Sequence, residues 1–304
     1  MKLLPKLIMY NIINKEITGR WYKSKYKIIR LIGNGGVGEI YLAAHEKRGL
    51  VALKISRSML SITREYDNMK KCEGKNYLPM VYELDDFETH GEAYHFFAME
   101  YIDGYDLSKV MKSDLPLKLK LEIFIIILRI IEDINEEGLI YSDLKHENIM
   151  VDSRNLFIRF VDFGSLTPMG GIIKEYTPLY DRYSWKMGDR TADAAYQVFS
   201  AAVLLMTLIL GYKLRPDKNN ILSIRRALVK NNTPEALAEL IEKALKGEIK
   251  NCRLFYEKLV NVDISVKKQS IKLNALLDSI IAILIFLLGV VLVNLKALTP
   301  ISLF

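Results

Sequence analysis

The chain has 304 residues, half of them hydrophobic and 26% charged, with a formal net charge of +7. That length can bury a full core and exceeds the usual single-domain size, so one domain with an appendage is expected. The two cysteines, Cys72 and Cys252, exclude a disulfide framework and fit a reducing, cytoplasmic body, while the positive charge favours anionic partners such as nucleotide, acidic lipid or nucleic acid.

The N-terminal extension, residues 1–19, has scattered apolar residues broken by Pro5, Lys6 and Asn11, and no small-residue cleavage site follows, so no signal peptide is expected. Residues 26–54 read as strand, Gly-rich turn, strand, polar turn at Arg48-Gly49, and strand. Helical spacing follows over 62–72, and then two more strands over "MVYELDDF" and "AYHFFAMEYI". Downstream the pattern turns helical. A long apolar helix over 117–138 is closed by Gly138, a second buried helix covers 196–210, and amphipathic helices are expected over 233–246 and 252–260. The expected class is therefore α+β, with a small antiparallel β lobe (20–102) before a larger α-helical lobe (103–260).

A basic linker, 261–275, carries Lys267, Lys268 and Lys272, and Ile280 to Val293 then runs fourteen residues without a polar side chain. Its flanks extend the apolar segment to 276–295, which at roughly 1.5 Å per residue just spans a bilayer core. The lysines on its N-terminal side predict a single-pass transmembrane helix with the body in the cytoplasm and residues 296–304 as a short tail. A packed or interfacial helix stays open, because the strict run is short and Asp278 and Asn294 would have to sit at the interfaces.

Gly33, Asn34, Gly35, Gly36, Val37 and Gly38 fit the pattern G-x-G-x-x-G, in which missing Cβ atoms let backbone approach phosphate. A strand follows the glycines where a dinucleotide-binding fold requires a helix, which favours a hairpin lying over a nucleotide. The third strand ends in Val51-Ala52-Leu53-Lys54, and a lysine on so apolar a run is costly to bury unless it meets an anion. Glu65 on the next helix can pair with it, although Asp67 or Glu73 fits the same role.

With "AMEYIDG" (98–104), "DLKHEN" (143–148) and "VDFG" (161–164) following in order, residues 20–260 resemble the eukaryotic-like (Hanks-type) protein kinases of bacteria. The resemblance implies a bilobal protein-kinase-like fold and transfer of phosphate from ATP to protein Ser/Thr hydroxyls, with Mg2+ or Mn2+. It implies that Lys54 binds the α- and β-phosphates, that Asp143 orients the acceptor hydroxyl and takes its proton, and that Asn148 and Asp162 hold the metal. Lys145 is assigned to the transferred phosphoryl and resembles the Ser/Thr-directed branch. The resemblance further implies that Ala52 and Met150 sandwich the base, with Ile40 the apolar residue expected at the end of the Gly-rich loop in the cofactor site, that Met99 lines the back of the pocket, and that Glu100 and Ile102 offer backbone groups to adenine. His146 is expected to be a bystander. Two other readings of the fold are a nucleotide-binding scaffold with little transfer and a small-molecule kinase; the first is at odds with the retained phosphate- and metal-handling residues, the second with Lys145.

The departures concern control. Tyr141-Ser142-Asp143 stands where the family usually has His-Arg-Asp, so the arginine that grips a phosphorylated activation segment is missing, a non-RD pattern. The segment from Asp162 to Thr177 is short, and Thr177 fits the family's structural threonine near Asp143 and Lys145. Regulation independent of loop phosphorylation is therefore expected, with a homodimer or an anionic effector, acidic lipid or DNA, as the alternative switch. Arg253 lacks its usual glutamate, for which Asp181 or Asp189 can substitute, and Gln197 falls where the family has the aspartate that braces the catalytic loop. The composition and anchored layout resemble a Gram-positive bacterial kinase of the sporulation type.

Overall fold

The computed structural model describes residues 12–35 and 38–262. Gly36, Val37 and the expected membrane span at 276–295 therefore lie outside the described residues. Among those residues, no helix is long and apolar enough to cross a membrane.

Strands β1 (Glu16–Thr18), β2 (Lys25–Asn34), β3 (Glu39–His45), β4 (Gly49–Ser56), β5 (Val81–Thr89) and β6 (Glu92–Glu100) form one antiparallel sheet in the order β1-β2-β3-β4-β6-β5. Alternation along them sends Tyr26, Ile28, Tyr41, Ala43, Val51, Leu53, Ile55, Phe87, Tyr94 and Phe96 into a shared apolar core. β1 belongs to this sheet although it falls in the N-terminal extension: Ile17 is buried between exposed neighbours and pairs with Tyr26. Between β4 and β5 lies α1 (Met59–Lys71), capped by the Ser58 side chain, which accepts from the Ser61 backbone N–H. Its buried residues Ile62, Glu65, Asn68 and Met69 recur at helical spacing, so the face turned inward carries a carboxylate.

The second lobe begins with β7 (Gly104–Asp106) and α2 (Leu107–Lys112), followed by α3 (Leu117–Glu136). Gly138 just beyond α3 takes a φ of +73°, the left-handed conformation that stops a helix. Short strands β8 (Leu139–Tyr141), β9 (Ile149–Asp152), β10 (Ile158–Phe160) and β11 (Leu166–Pro168) follow, pairing as β10-β9-β7 and β11-β8. The catalytic-loop sequence lies between β8 and β9, one strand from each of these small sheets. Beneath them runs α4 (Ala194–Leu210), started by the Asp193 cap, ended by Gly211 and buried along nearly its whole length. It packs against α3, α5 (Ile221–Lys230), α6 (Glu235–Leu245) and α7 (Cys252–Val260). Both cysteines are free and buried.

Candidate active site

The Gly-rich hairpin closes where Gly35 N–H donates to the Gly38 carbonyl at 2.9 Å. Gly33 faces Ile40 across the pair. At Gly38 a Cβ would stand 2.5 Å from the Ile55 carbonyl oxygen, so this close passage of β3 over β4 admits only glycine. Lys54 sits in β4 between Ile40 and Phe97 and is buried.

Its ammonium donates to Glu65 of α1 and lies 3.5 Å from Asp162 Oδ1. Glu73 pairs with Lys70 instead, so Glu65 is the partner among the three acids considered. Burial works against the charge on Lys54, but Glu65 and Asp162 outweigh it and raise its pKa. The Glu65 carboxyl is pushed up to about 7, first by burial and then by Asp162, against the pull of Lys54.

Asp162 is fixed from below. Its Oδ1 accepts from Gly164 N–H at 3.2 Å, and its carbonyl accepts from the Tyr141 hydroxyl. Tyr141 thus adds a polar tie to the packing its position requires, with its ring edge-on to Phe160 and Phe163. The Phe163 carbonyl in turn accepts from Asn68 Nδ2 of α1 at 2.9 Å.

The catalytic-loop sequence folds around Asp143. Thr177 Oγ1 donates to Asp143 Oδ1 at 2.6 Å, Lys145 Nζ donates to Oδ2, and Asn148 Nδ2 donates to the Asp143 carbonyl at 3.0 Å. With its nitrogen committed, the Asn148 amide has its oxygen left for a cation. Gln197 of α4 braces the loop, its Oε1 accepting from Tyr141 N–H at 2.8 Å and its Nε2 donating to the Tyr141 carbonyl at 3.3 Å. The amide therefore fills the bracing position predicted for it.

His146 faces away from Asp143. Thr207 directs its hydroxyl proton to the carbonyls of Val203 and Leu204, so its oxygen accepts from His146 Nε2 at 3.1 Å, and the Tyr180 hydroxyl then donates to Nδ1. Burial, aided by Lys213, pushes the imidazole down to about 3 and keeps it neutral. It pins the loop to α4 and to the turn at Pro178–Tyr180.

Of the residues expected around the base, Ala52 pairs with Met99 across β4 and β6, and both are buried, as is Ile102. Met150 lies on β9 between Arg159 and Asp106. Glu100 N–H donates to the Met80 carbonyl at 2.8 Å. Its side chain turns outward to Arg159 and Arg154, which hold the carboxyl below the usual range although burial opposes them. These arginines were not foreseen from the sequence.

One scaffold expectation is corrected. Arg253 pairs with Glu132 and Glu136 on α3, and not with Asp181 or Asp189. Asp181 is fully buried and taken by Arg190, Ser184 and Tyr196. Asp189 joins Asp193 on Arg182, with contacts of 2.8 Å to each. Short-range pairing within 181–193 uses these acids before a distant helix can reach them.

Among the described residues, no group of three or more His, Cys, Asp or Glu could enclose a metal. Asn148 and Asp162 do fit an ion that takes few protein ligands and completes its shell with phosphate oxygens, as magnesium does. A charged lysine held by a helix acid, above a loop that presents Asp, Lys and Asn to a further aspartate, is suited to phosphoryl transfer of the kinase type. The protein kinase domain family matches residues 26–267, more than half of the sequence, and the chain belongs to that family. Among its relatives, the serine/threonine-protein kinase YabT of Bacillus subtilis is 30% identical over 237 residues, covering 76% of this chain and 70% of its own. The serine/threonine-protein kinase pkn3 of Myxococcus xanthus is 31% identical over 160 residues, 49% of this chain and 29% of its own. A probable serine/threonine-protein kinase of Lactococcus lactis, PknB, is 26% identical over 267 residues, 77% of this chain and 40% of its own. The chain thus spans less than half the length of the latter two. The likeness to bacterial Hanks-type kinases is supported, and with it the use of ATP and a divalent metal.

Proposed function

We propose that this chain transfers the γ-phosphate of ATP to serine and threonine hydroxyls of proteins, from a membrane-tethered position facing the cytoplasm and without requiring phosphate on its activation segment. The observation that carries the reading is the engagement of Asp143 on both oxygens, by Thr177 at 2.6 Å and by Lys145. Asp143 is thereby aimed to receive an acceptor hydroxyl, with Lys145 beside it for the charge of the moving phosphoryl. Lys54, held by Glu65, contacts the α- and β-phosphates. The backbone of Gly33, Gly35 and Gly38 covers them, while Ile40, Ala52, Met99 and Met150 enclose adenine and the backbone of Glu100 and Ile102 bonds it. Asn148 and Asp162 would hold magnesium or manganese, which would supply positive charge against the phosphates.

Independence from loop phosphate is supported at Ser142. This buried residue, standing where an arginine would grip phosphate, places its hydroxyl 2.7 Å from the Ser165 carbonyl and 2.9 Å from that of Glu175. A neutral hydroxyl shared by two carbonyls has no charge to offer a phosphate. Residues 276–295 serve as the membrane anchor, and confinement to a surface favours homodimerisation or an anionic effector as the switch. The Gram-positive, sporulation-type placement rests on composition and layout alone.

Phosphoamino-acid analysis of casein labelled by the full chain should give phosphoserine and phosphothreonine, with no labelling of sugars or aminoglycosides. Label found only on small molecules would refute the protein-directed reading. Truncation after Lys272 should move the chain from the membrane to the soluble fraction, and an unchanged distribution would refute the anchor.

A further inference from the structure

We infer that Arg64 and Glu175 are positioning residues that lock α1 onto the activation segment, a built-in carboxylate serving where related architectures would need an added phosphate. The inference rests on the reading above, that loop phosphate is dispensable.

Glu175 is tied at both ends. Its carbonyl lies 2.9 Å from the Ser142 hydroxyl in the catalytic loop, and its carboxylate accepts from the Arg64 guanidinium on α1. Arg64 directly precedes Glu65, whose carboxylate holds Lys54. A pull on the one is therefore transmitted through a single helical residue to the other. A methyl group added at Gly164 would stand 3.4 Å from both Glu65 Oε2 and Asp162 Oδ1 and 3.5 Å from Glu175 Oε2, so the three carboxylates converge on one point. Left alone, that much negative charge would drive Glu175 and α1 apart. Arg64 offsets it from the helix side as Lys54 does from the strand side.

The geometry also explains why Ser142 is tolerated. In the place where an arginine would have to meet a negative group on the segment, the segment's own negative group turns outward to α1, and the catalytic loop needs only a hydroxyl to keep the segment's backbone in register. The Arg64 and Glu175 side chains are 41% and 35% exposed, so the pair adds little to global stability. Its effect falls on where α1 sits.

The test uses the full chain, treated with a phosphatase, with casein as acceptor. Wild type should keep its transfer activity. Glu175→Gln and Arg64→Gln should each lower kcat about tenfold, as the loss of an inter-element coupling does. The melting temperature should stay within about 2–4 °C of wild type. The reciprocal exchange, Arg64→Glu with Glu175→Arg, should restore kcat to within about threefold, a rescue that a merely structural role does not produce. If wild type transfers normally and the single variants match it, or the exchange is no better than the singles, the inference is overturned alone. If phosphatase-treated wild type transfers nothing, the loop-independent reading fails and takes the inference with it.

Discussion

Gln197, on the long helix of the second lobe, accepts the backbone N–H of Tyr141 at 2.8 Å from 56 positions away in the chain. It also returns a donor to the Tyr141 carbonyl, so one neutral side chain satisfies both polar groups of a buried residue at the mouth of the catalytic loop. A charged acceptor is thus not required to hold the loop; a correctly placed amide does so.

Replacing Gln197 by Leu should leave the Tyr141 N–H and carbonyl unpaired in the core, at a cost of about 2 kcal/mol. Thermal unfolding should show a loss of roughly 4–8 °C, with transfer activity falling alongside. Gln197→Asp keeps the acceptor and gains charge assistance, so it should retain wild-type activity. Equal damage from Leu and Asp would contradict this account of the brace.

Lys54→Met removes the cation that, among the described residues, lies between Glu65 and Asp162. Glu65, already pushed up to about 7, should then rise further, because burial and Asp162 remain while the pull of Lys54 is gone. A carboxyl with a raised folded-state pKa supports the fold below its ordinary value and loses that support as pH rises through the shifted one. The variant should therefore lose more melting temperature than wild type between about pH 6 and pH 9. Parallel pH curves for the two proteins would show that the coupling is absent.

The neutral His146 works in the opposite sense. Its folded-state pKa is depressed from 6.5 to about 3, so its contribution is complete above about pH 6.5 and lost as pH falls toward 3. His146→Gln, which keeps a donor and an acceptor, should flatten the acid limb of the melting-temperature profile. The acid limb of the rate profile should stay where it is, since the imidazole faces Tyr180 and Thr207 and not Asp143. A shifted rate profile would make His146 part of the chemistry.

Arg182 and Arg253 should separate sharply. The Arg182 side chain is 10% exposed and binds Asp193 through two nitrogens, whereas that of Arg253 is 61% exposed. Arg182→Ala should destabilise more than Arg253→Ala, because the Arg182 side chain is itself buried and bidentate, although its partners Asp193 and Asp189 are 42% and 73% exposed and screened by water; Arg253→Ala should cost at most about 1 kcal/mol. Denaturant unfolding of both variants measures the difference; the reverse ranking would restore Arg253 to the scaffold role expected from the sequence.

What could be read from the sequence follows from how far each signal extends along the chain. The five long strands and the helices at 59–71, 117–136 and 194–210 carry enough alternating or helical repeats to declare themselves. β1 and the strands β7–β11 are three or four residues long, too short to show a period, and are fixed by their partners. α5 buries only Ile224 and Leu228, one turn apart, and gave no signal from its pattern. In the site, residues that sit together in the sequence, such as Asp143, Lys145 and Asn148, were legible because loop chemistry is local. The Arg64–Glu175 contact joins residues 111 positions apart, and only the folded chain brings them together. The partner of Arg253 was misjudged because the packing of α7 on α3, a tertiary fact, decides which acids it meets.

On the proposed function, Asp143 receives the acceptor hydroxyl in an active protein kinase. The most direct test is single-turnover transfer of labelled γ-phosphate from ATP, with magnesium, to casein by wild type and Asp143→Asn, with nucleotide affinity measured in parallel. Wild type should transfer, while Asp143→Asn should bind nucleotide within about threefold of wild type and transfer about a thousandfold more slowly. Nucleotide binding without transfer by pure wild type, or equal rates for the two proteins, would contradict the account.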